Sequence, residues 1–238
     1  MPVKYKRIVL KISGEGLQGK ESSGISLDVL EDISGEIKAV HSLGAQVCLV
    51  VGGGNIFRGA EQFEAFGFNR AVADYIGMLA TVMNALALQN ALEKLEIPTR
   101  VMSAIEMRQI SEPYIRRRAL RHLEKGRVLI FAAGTGNPYF TTDTAAALRA
   151  AEIEADLIIK ATKVDGVYSD DPMKNPKAKK YDRLSYSDVI RDNLKVMDIT
   201  AITMCMENSM PIRVLNLNHR GAVVATVNGE DIGTIISE

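Results

Sequence analysis

The chain has 238 residues, of which 47% are apolar and 24% are charged, and 29 Lys and Arg residues balance 29 Asp and Glu residues. This composition is typical of a globular protein, and a formal net charge of zero gives no global field that attracts nucleic acid or an anionic membrane. No run reaches the roughly 18 apolar residues of a membrane span, and residues 8–10 are too few for a secretory signal. We therefore predict a cytoplasmic protein that binds neither nucleic acid nor membrane.

Apolar segments rich in Val and Ile alternate with segments of helical periodicity along the chain. Continuous apolar strands suit a sheet that is covered on both faces, and helices between strands imply right-handed crossovers. The sequence therefore predicts an α/β fold with a largely parallel sheet, at a length for which one domain is feasible. The predicted strands are residues 7–12, 46–51, 100–103, 127–132, 156–160 and 211–217.

Two helices are predicted in the first half of the chain. Ser26 or Asp28 can cap the first helix, and Gly44 can end it after residue 43. The second helix is predicted over residues 69–95 and carries apolar side chains around much of its circumference. Because one core contact covers only one stripe of a helix, we predict a homo-oligomer in which a second copy covers part of this helix.

The two cysteines, Cys48 and Cys205, lie in apolar stretches. Their spacing is neither that of a metal site nor that of a disulfide framework, so we expect two buried thiols. No protein-bound metal site is predicted from the sequence.

The segment after the first strand contains Gly14, Gly16 and Gly19 and matches two phosphate-binding patterns in part. The GxGxxG dinucleotide pattern requires a helix that opens directly on the loop, but residues 20–24 are poor helix formers. The GxxxxGK pattern of P-loop enzymes requires a following Ser or Thr for magnesium, and Glu21 stands there instead. Neither pattern is satisfied in full, and for an isolated glycine cluster a flexible turn is the default interpretation.

Two further glycine loops follow predicted strands. Residues 52–55 read GGGN and precede Arg58, and residues 134–138 read GTGNP and precede a helix predicted over residues 144–151. Glycines at the carboxyl end of a strand leave backbone N–H groups free to approach phosphate oxygens, and Arg58 can add a charge-assisted hydrogen bond. Because α/β sheets bind ligands at this edge, three such loops favour a phosphate-rich ligand.

Five stretches in chain order carry a family resemblance: KISGE at 11–15, VGGGNIFRG at 51–59, GMLATVMN at 77–84, GTGNPYFTTD at 134–143 and KATKVDGVY at 160–168. They resemble the bacterial UMP kinases of the amino acid kinase superfamily over essentially the whole chain. The first two motifs indicate only the superfamily, whereas the third and fourth are similar to its UMP-specific branch. The resemblance implies a mostly parallel central sheet sandwiched by helices, in a single domain of residues 1–238 with two lobes.

The resemblance also implies an activity, the transfer of the γ-phosphoryl group of ATP to UMP to give UDP and ADP. It implies catalytic roles for Lys11, Arg58 and Asp143, with Asp143 arranging the lysines around the transferred group, and Mg²⁺ carried with ATP as the cofactor. The acceptor is a phosphate dianion near neutral pH, since its second pKa is about 6, so no general base is required. We therefore expect no catalytic histidine, and Asp198 is a weaker candidate for a supporting role.

Binding residues are implied position by position. The ATP site would contain Lys11, Ile12, Ser13, Gly14, Gly54, Arg58, Thr162, Tyr168 and Asp171. The UMP site would contain Gly53, Asp74, Thr135, Gly136, Asn137, Pro138, Tyr139, Phe140, Thr141 and Thr142. The Asp74 carboxylate would accept hydrogen bonds from the ribose hydroxyls. Without the resemblance, Asp74 is compatible with a solvated helix residue, Asp143 with a helix N-cap and Tyr168 with ordinary core.

The same resemblance implies a homohexamer, activation by GTP and feedback inhibition by UTP. Arg100 and Arg127 would contact the GTP effector. Gln89 and Glu93 stand where relatives often carry basic residues, and this difference predicts weakened GTP binding.

Two other functions stay open. The chain could be another kinase of the superfamily, acting on a carboxylate or a carbamate. It could also be a catalytically silent nucleotide-binding regulator. The joint presence of Lys11, Arg58 and Asp143 disfavours the silent regulator, because an inactive enzyme is expected to have lost at least one of them.

Overall fold

The computed structural model describes residues 3–57, 67 and 69–238. Its strands are β1 (Arg7–Ile12), β2 (Gln46–Val51), β3 (Thr99–Ser103), β4 (Glu112–Pro113), β5 (Val128–Ala132), β6 (Leu157–Thr162), β7 (Val167–Tyr168), β8 (Lys180–Tyr181), β9 (Arg183–Ser185), β10 (Ile212–Asn216) and β11 (Thr234–Ser237). Within the described residues, nine of them form one sheet in the order β4-β3-β5-β2-β1-β6-β10-β11-β9. Every neighbouring pair in this sheet is parallel except β10 and β11.

Helices cover both faces of the sheet. They are α1 (Gly14–Leu17), α2 (Leu27–Ser42), α3 (Arg70–Lys94), α4 (Arg116–Glu124), α5 (Thr142–Glu152), α6 (Tyr186–Arg191), α7 (Ile199–Glu207) and α8 (Ala222–Asn228). One hydrophobic core contains residues of α2, α3 and α8, and a second contains residues of α4, α5, α6 and α7. The predicted α/β fold, with a mostly parallel central sheet between helices, is confirmed.

The register of β1 against β6 places two lysines side by side. Lys11 of β1 is aligned with Lys160 of β6. Successive side chains of a strand point to opposite faces, and Val9 and Ile158, two residues earlier in these strands, belong to the core that contains α5. Both lysine side chains therefore point to the α5 face, near the carboxyl ends of the two strands.

The long helix predicted over residues 69–95 is α3, and Asn69 caps it by accepting a hydrogen bond from the backbone N–H of Ala71. Its length and apolar composition would also allow it to cross a membrane. A core helix satisfies the same criteria, however, and α3 packs against β3, β5 and α2 with Leu88 fully buried. We therefore interpret α3 as a core helix.

The structure differs from the predicted elements in its short segments. The single-turn helix α1 follows β1 directly, although no helix is predicted there; Ser13 caps it by accepting a hydrogen bond from the Gly16 N–H at 3.1 Å. The unpredicted strands β4, β7, β8, β9 and β11 have two to four residues. Segments of that length carry too little periodicity to distinguish a strand from a loop.

The two cysteines are buried and unpaired, as predicted. Burial raises the pKa of the Cys205 thiol to about 12 and raises the pKa of Cys48 further. Because the thiolate is the reactive form of cysteine, both groups are inert near neutral pH.

Candidate active site

Three charged side chains meet at the carboxyl end of the sheet, and we call them the lysine–aspartate cluster. Lys11 Nζ lies 2.6 Å from Asp143 Oδ1, and Lys160 Nζ lies 2.8 Å from Asp143 Oδ2. The lysines come from the neighbouring strands β1 and β6, and the carboxylate comes from the first turn of α5. The side chains are only 8%, 15% and 14% exposed, respectively. One carboxylate thus bridges two buried ammonium groups.

The electrostatics of this cluster define what Asp143 can do. Burial by itself raises the pKa of the Asp143 carboxyl, but the ammonium groups of Lys11 and Lys160 outweigh burial and hold that pKa below its ordinary value. Burial lowers the pKa of Lys160, the Asp143 carboxylate opposes the lowering, and Lys11 adds to it. Asp143 is therefore ionised near neutral pH, and it balances and aligns the lysine charges.

Lys160 is a site residue that the sequence analysis missed. Its ammonium donates hydrogen bonds to Asp143 and to the carbonyl of Val196. The signal that could have found it is a lysine inside the apolar strand LIIKAT, because a buried lysine requires a partner.

Asp143 is not the N-cap of α5. Thr141 caps this helix, and its hydroxyl accepts hydrogen bonds from the N–H groups of Asp143 and Thr144 at 3.0 and 3.3 Å. The hydroxyls of Thr141 and Thr144 donate to the carboxylate of Asp198. Asp198 also caps α7, where it accepts from the Ala201 N–H at 2.9 Å. Asp198 thus joins the first turns of α5 and α7, while Asp143 is left for the lysines.

The first two glycine loops approach each other closely at the same edge of the sheet. A Cβ atom on Gly14 would lie 2.4 Å from the backbone nitrogen of Gly54, and one on Gly52 would lie 2.7 Å from the nitrogen of Gly14. Any larger residue at these two positions would force the loops apart. The loops follow β1 and β2, which are paired in parallel, so both lie at the end of the sheet that carries Lys11.

A cavity of about 200 Å³ lies between α3 and the third glycine loop. Of the residues predicted to bind UMP, it is lined by Gly53, Asp74, Thr135, Phe140, Thr141 and Thr142. Asp74 Oδ2 accepts a hydrogen bond from the Tyr139 N–H at 2.8 Å and lies 3.2 Å from Arg70 Nε. Asp74 is therefore not a freely solvated helix residue, because it connects α3 to the loop.

The other four residues predicted to bind UMP belong to the same loop but do not line this cavity: Gly136, Asn137, Pro138 and Tyr139. Gly136 has a φ of 81°, and a Cβ atom there would lie 3.0 Å from the carbonyl oxygen of Ala104. Tyr139 also has a left-handed φ, 73°, and its side chain is exposed. Its backbone N–H, rather than its ring, makes the contact with Asp74.

The residues predicted to bind ATP are less compactly arranged. Ile12, Ser13 and Thr162 line a cavity of about 440 Å³. Tyr168 and Asp171 belong to β7 and to the loop that follows it, and they are not among the residues that line this cavity. The Tyr168 side chain is partly exposed and its hydroxyl donates to Asp165 at 2.6 Å, so Tyr168 is not an ordinary core residue.

Two predicted sources of positive charge are not part of the described geometry. Arg58 lies outside the described residues, so its predicted catalytic role stays a prediction. In residues 3–57, 67 and 69–238, no group of three or more His, Cys, Asp or Glu side chains could hold a metal ion. The Mg²⁺ ion that is predicted to arrive with ATP has no protein ligand assigned.

The residues predicted to contact GTP lie elsewhere, in a group that we call the arginine–glutamate cluster. Its members are Glu93, Arg100, Glu112, His122 and Arg127. The Arg100 guanidinium lies 3.7 Å from a carboxylate oxygen of both Glu93 and Glu112. The His122 ring is hydrogen-bonded to Glu112 at 3.0 Å and to Arg127 at 2.9 Å. Both arginines are thus already engaged with other side chains of the chain.

Comparison with known proteins identifies relatives for this arrangement. A sequence model described as the amino acid kinase family matches residues 6–216. A structure of UMP kinase from Bacillus anthracis is 40% identical, with a TM-score of 0.95 and coverage of 98% of this chain and 96% of that one. A structure of UMP kinase from Ureaplasma parvum is 39% identical, with a TM-score of 0.92 and coverage of 99% and 100%.

A more distant structure, uridylate kinase from Archaeoglobus fulgidus, is 30% identical, with a TM-score of 0.73 and coverage of 97% of this chain and 99% of that one. The similarity therefore extends over nearly the full length of all three proteins. The match to the family model and these full-length similarities show that the chain belongs to the amino acid kinase family.

Proposed function

We propose that this chain is a UMP kinase, which transfers the γ-phosphoryl group of ATP to the phosphate of UMP and releases UDP and ADP. One observation carries the proposal: the lysine–aspartate cluster lies at the sheet edge that also holds the glycine loops and the cavity beside Asp74. The identity of 39–40% to two structures described as UMP kinases supports UMP as the acceptor.

The lysine–aspartate cluster supplies the charge that phosphoryl transfer needs. The reaction requires alignment of donor and acceptor, and positive charge where the oxygens of the transferred group become more negative. Asp143 holds the ammonium groups of Lys11 and Lys160 in place before the substrates arrive. Because both groups are largely buried, their interaction with a phosphate is strengthened. Mg²⁺ bound to ATP would neutralise charge between the ATP phosphates, and Arg58 would add a further cation.

The acceptor needs no general base. The UMP phosphate is largely a dianion near neutral pH and attacks directly. Asp143 already has two ammonium partners and a lowered pKa, so its role is to keep both lysines aligned. The main obstacle is repulsion between the two phosphates, which backbone N–H groups of the glycine loops offset without adding countercharge.

The chain forms one domain with two lobes, and the acceptor and donor sites use different parts of it. The acceptor site lies in the cavity between α3 and the third glycine loop, with Gly53, Asp74 and residues 135–142 holding UMP. The donor phosphates lie along residues 11–14 and Gly54. The base and ribose of ATP extend toward Thr162, Tyr168 and Asp171.

A coupled ADP-release assay with a panel of acceptors tests this function. The panel is UMP, CMP, dUMP, aspartate, glutamate and carbamate. We expect ADP release to be fastest with UMP. Release that depends on a carboxylate or carbamate instead would assign the chain to another activity of the superfamily. Absence of release with every acceptor, together with ATP binding, would indicate a silent nucleotide-binding regulator.

We further propose that the chain forms a homo-oligomer, with the hexamer as the state that the resemblance implies. Val72, Tyr75, Leu79 and Met83 of α3 are 46–55% exposed and follow one another at spacings of one helical turn. Such an exposed apolar stripe favours contact with a second copy. Light scattering should show an assembly at micromolar protein that Leu79→Glu weakens; a stable wild-type monomer would overturn the proposal.

Cytoplasmic location, activation by GTP and feedback inhibition by UTP extend the same proposal. They rest on the resemblance to bacterial UMP kinases and on the presence of Arg100 and Arg127. Rates measured over titrations of GTP and UTP, with both substrates held constant, test the two regulators directly.

A further inference from the structure

Two buried asparagines lie next to the glycine loops, outside the lysine–aspartate cluster. Asn55 follows the three glycines of the second loop, and Asn84 lies on α3; their residues are 2% and 0% exposed. The two amides bind each other reciprocally. Asn55 Nδ2 donates to Asn84 Oδ1 at 3.0 Å, and Asn84 Nδ2 donates to Asn55 Oδ1 at 2.7 Å.

The remaining amide hydrogens bind backbone carbonyls. Asn84 Nδ2 donates to the Gly52 carbonyl at 2.7 Å, and Asn55 Nδ2 donates to the Gly24 carbonyl at 2.8 Å. A carbonyl oxygen can only accept, so these contacts determine which way each amide is turned. All four amide hydrogens and both amide oxygens are satisfied. The pair therefore connects α3, the second glycine loop and the segment before α2 without leaving a buried polar atom unpaired.

The same pair supports both phosphate loops. A Cβ atom on Gly14 would lie 2.7 Å from Asn55 Oδ1, so the first loop packs directly on this amide. A Cβ atom on Gly53 would lie 2.7 Å from the carbonyl oxygen of Gly77 on α3. The second loop is thus packed between α3 and the first loop. A displacement of Asn55 would move the backbone of both loops.

Asn84 is one of three polar side chains by which α3 holds the backbone of a ligand loop. Asp74 accepts from the Tyr139 N–H, and the Thr81 hydroxyl accepts from the Ala133 N–H at 2.8 Å, just before the third glycine loop. Residues spaced by three and seven positions lie on one face of a helix. One face of α3 therefore sets the spacing of the loops at the candidate active site.

We propose that Asn55 and Asn84 are positioning residues for phosphoryl transfer, which fix the backbone of residues 52–54 so that the Gly54 N–H meets the donor phosphates. The inference rests on the proposed kinase function. Displacement of reacting groups by about 1 Å can cost about 10²-fold in rate, so loss of the amide pair affects kcat. The KM for UMP changes little, because Asp74 and residues 135–142 hold the acceptor.

Asn84→Asp tests the pair at nearly constant shape. One carboxylate oxygen of the variant still accepts the hydrogen bond from Asn55 Nδ2. The other oxygen replaces the Asn84 Nδ2 donor, so the hydrogen bond to the Gly52 carbonyl is lost. We expect kcat to fall about 10- to 100-fold at about pH 8. A carboxyl buried among acceptors has a raised pKa, and its protonated form restores one donor. The ratio of variant to wild-type kcat should therefore rise as the pH is lowered toward about 6.

A double-mutant cycle and a matched control separate positioning from stability. If the two amides act as a unit, Asn55→Ala combined with Asn84→Ala should lose no more kcat than the more damaging single change. Leu88→Ala, one turn along α3 in the buried core, should lower Tm by opening a cavity but keep wild-type kcat well below Tm. Asn55→Asp provides the same test from the loop if Asn84→Asp does not fold.

The outcomes distinguish this inference from the proposed function. Three outcomes would each overturn the positioning role alone. The first is a wild-type kcat in Asn84→Asp, and the second is a loss of kcat in Asn84→Asp no larger than that in Leu88→Ala when both variants have the same Tm. The third is additive losses of kcat in the double-mutant cycle. Wild-type protein that releases no ADP with UMP would instead overturn the kinase function, and the inference with it.

Discussion

The lysine–aspartate cluster and the arginine–glutamate cluster both combine basic and acidic side chains, but they differ in burial and in charge balance. In the first, two ammonium groups share one carboxylate and no side chain is more than 15% exposed. In the second, the Arg100 side chain is 36% exposed and lies 3.7 Å from two carboxylates. The first cluster therefore has more positive than negative charge, whereas Arg100 in the second cluster already has two anionic partners.

The difference shows how proximity of charges relates to ligand binding. Buried ammonium groups that share a carboxylate interact strongly with an arriving phosphate, because solvent screens them little. Arg100, which is partly exposed and paired with two glutamates, must first give up those partners, and exposed ion pairs contribute only about 0–1 kcal/mol each. We therefore expect changes in the lysine–aspartate cluster to alter catalysis far more than changes in the arginine–glutamate cluster alter regulation.

Lys11→Ala should have the largest effect. Removal of one preorganised electrostatic donor reduces kcat by about 10²–10³-fold. The KM for UMP should change little, because other residues hold the acceptor. Steady-state kinetics with Lys38→Ala, an exposed lysine on α2, provides the control. A near-normal kcat with a raised KM for UMP would show that Lys11 binds the acceptor, and the assignments of the ATP and UMP sites would have to be exchanged.

Asp143→Asn should leave both substrates bound but slow turnover about 10- to 100-fold, the usual loss when a group that orients active-site residues is removed. An amide cannot balance two ammonium groups. Burial lowers the pKa of Lys160 and the Asp143 carboxylate opposes this lowering, so the pKa should fall further when the carboxylate is removed. As the pH rises, kcat of the variant should therefore decline at a lower pH than kcat of the wild type. Parallel pH profiles would contradict this role.

A preference for UMP over dUMP should follow from Asp74. The Asp74 carboxylate is partly buried, and loss of a hydrogen-bond donor to such a group costs about 1–3 kcal/mol, equivalent to about 5- to 150-fold in kcat/KM. The comparison uses both acceptors at saturating ATP, with Asp74→Asn expected to reduce the preference. Equal kcat/KM values for UMP and dUMP in the wild type would remove Asp74 from the ribose contact.

Glu93→Gln should have the smallest effect and bears on the arginine–glutamate cluster. The change frees Arg100 from one carboxylate, so half-maximal activation should need less GTP, by at most about fivefold, in keeping with the low strength of exposed ion pairs. Initial rates over a GTP titration measure the shift. Rates that stay flat into the millimolar range for both proteins would show that this regulation is absent.

Much of the fold and the site can be predicted from local features of the sequence. Apolar runs between helical segments specify the α/β class, and glycines at strand ends mark the loops, because both signals are contained within a few consecutive residues. Lys11 and Asp143 are found from the motifs around them, and the structure brings them into contact. Their catalytic roles stay predictions.

The identity of the distant side chains that meet is visible only in the folded protein. The partnership of Lys160 with Asp143 depends on the register between β1 and β6, and the reciprocal amides of Asn55 and Asn84 depend on how α3 packs against the second glycine loop. Neither contact leaves a periodic or spaced pattern in the chain. The fold class, the family likeness and the glycine loops can be predicted without the structure, because they depend on local propensity and short motifs. Contacts between elements far apart in the chain depend on strand register and helix packing, which form only when the whole chain buries its apolar surface.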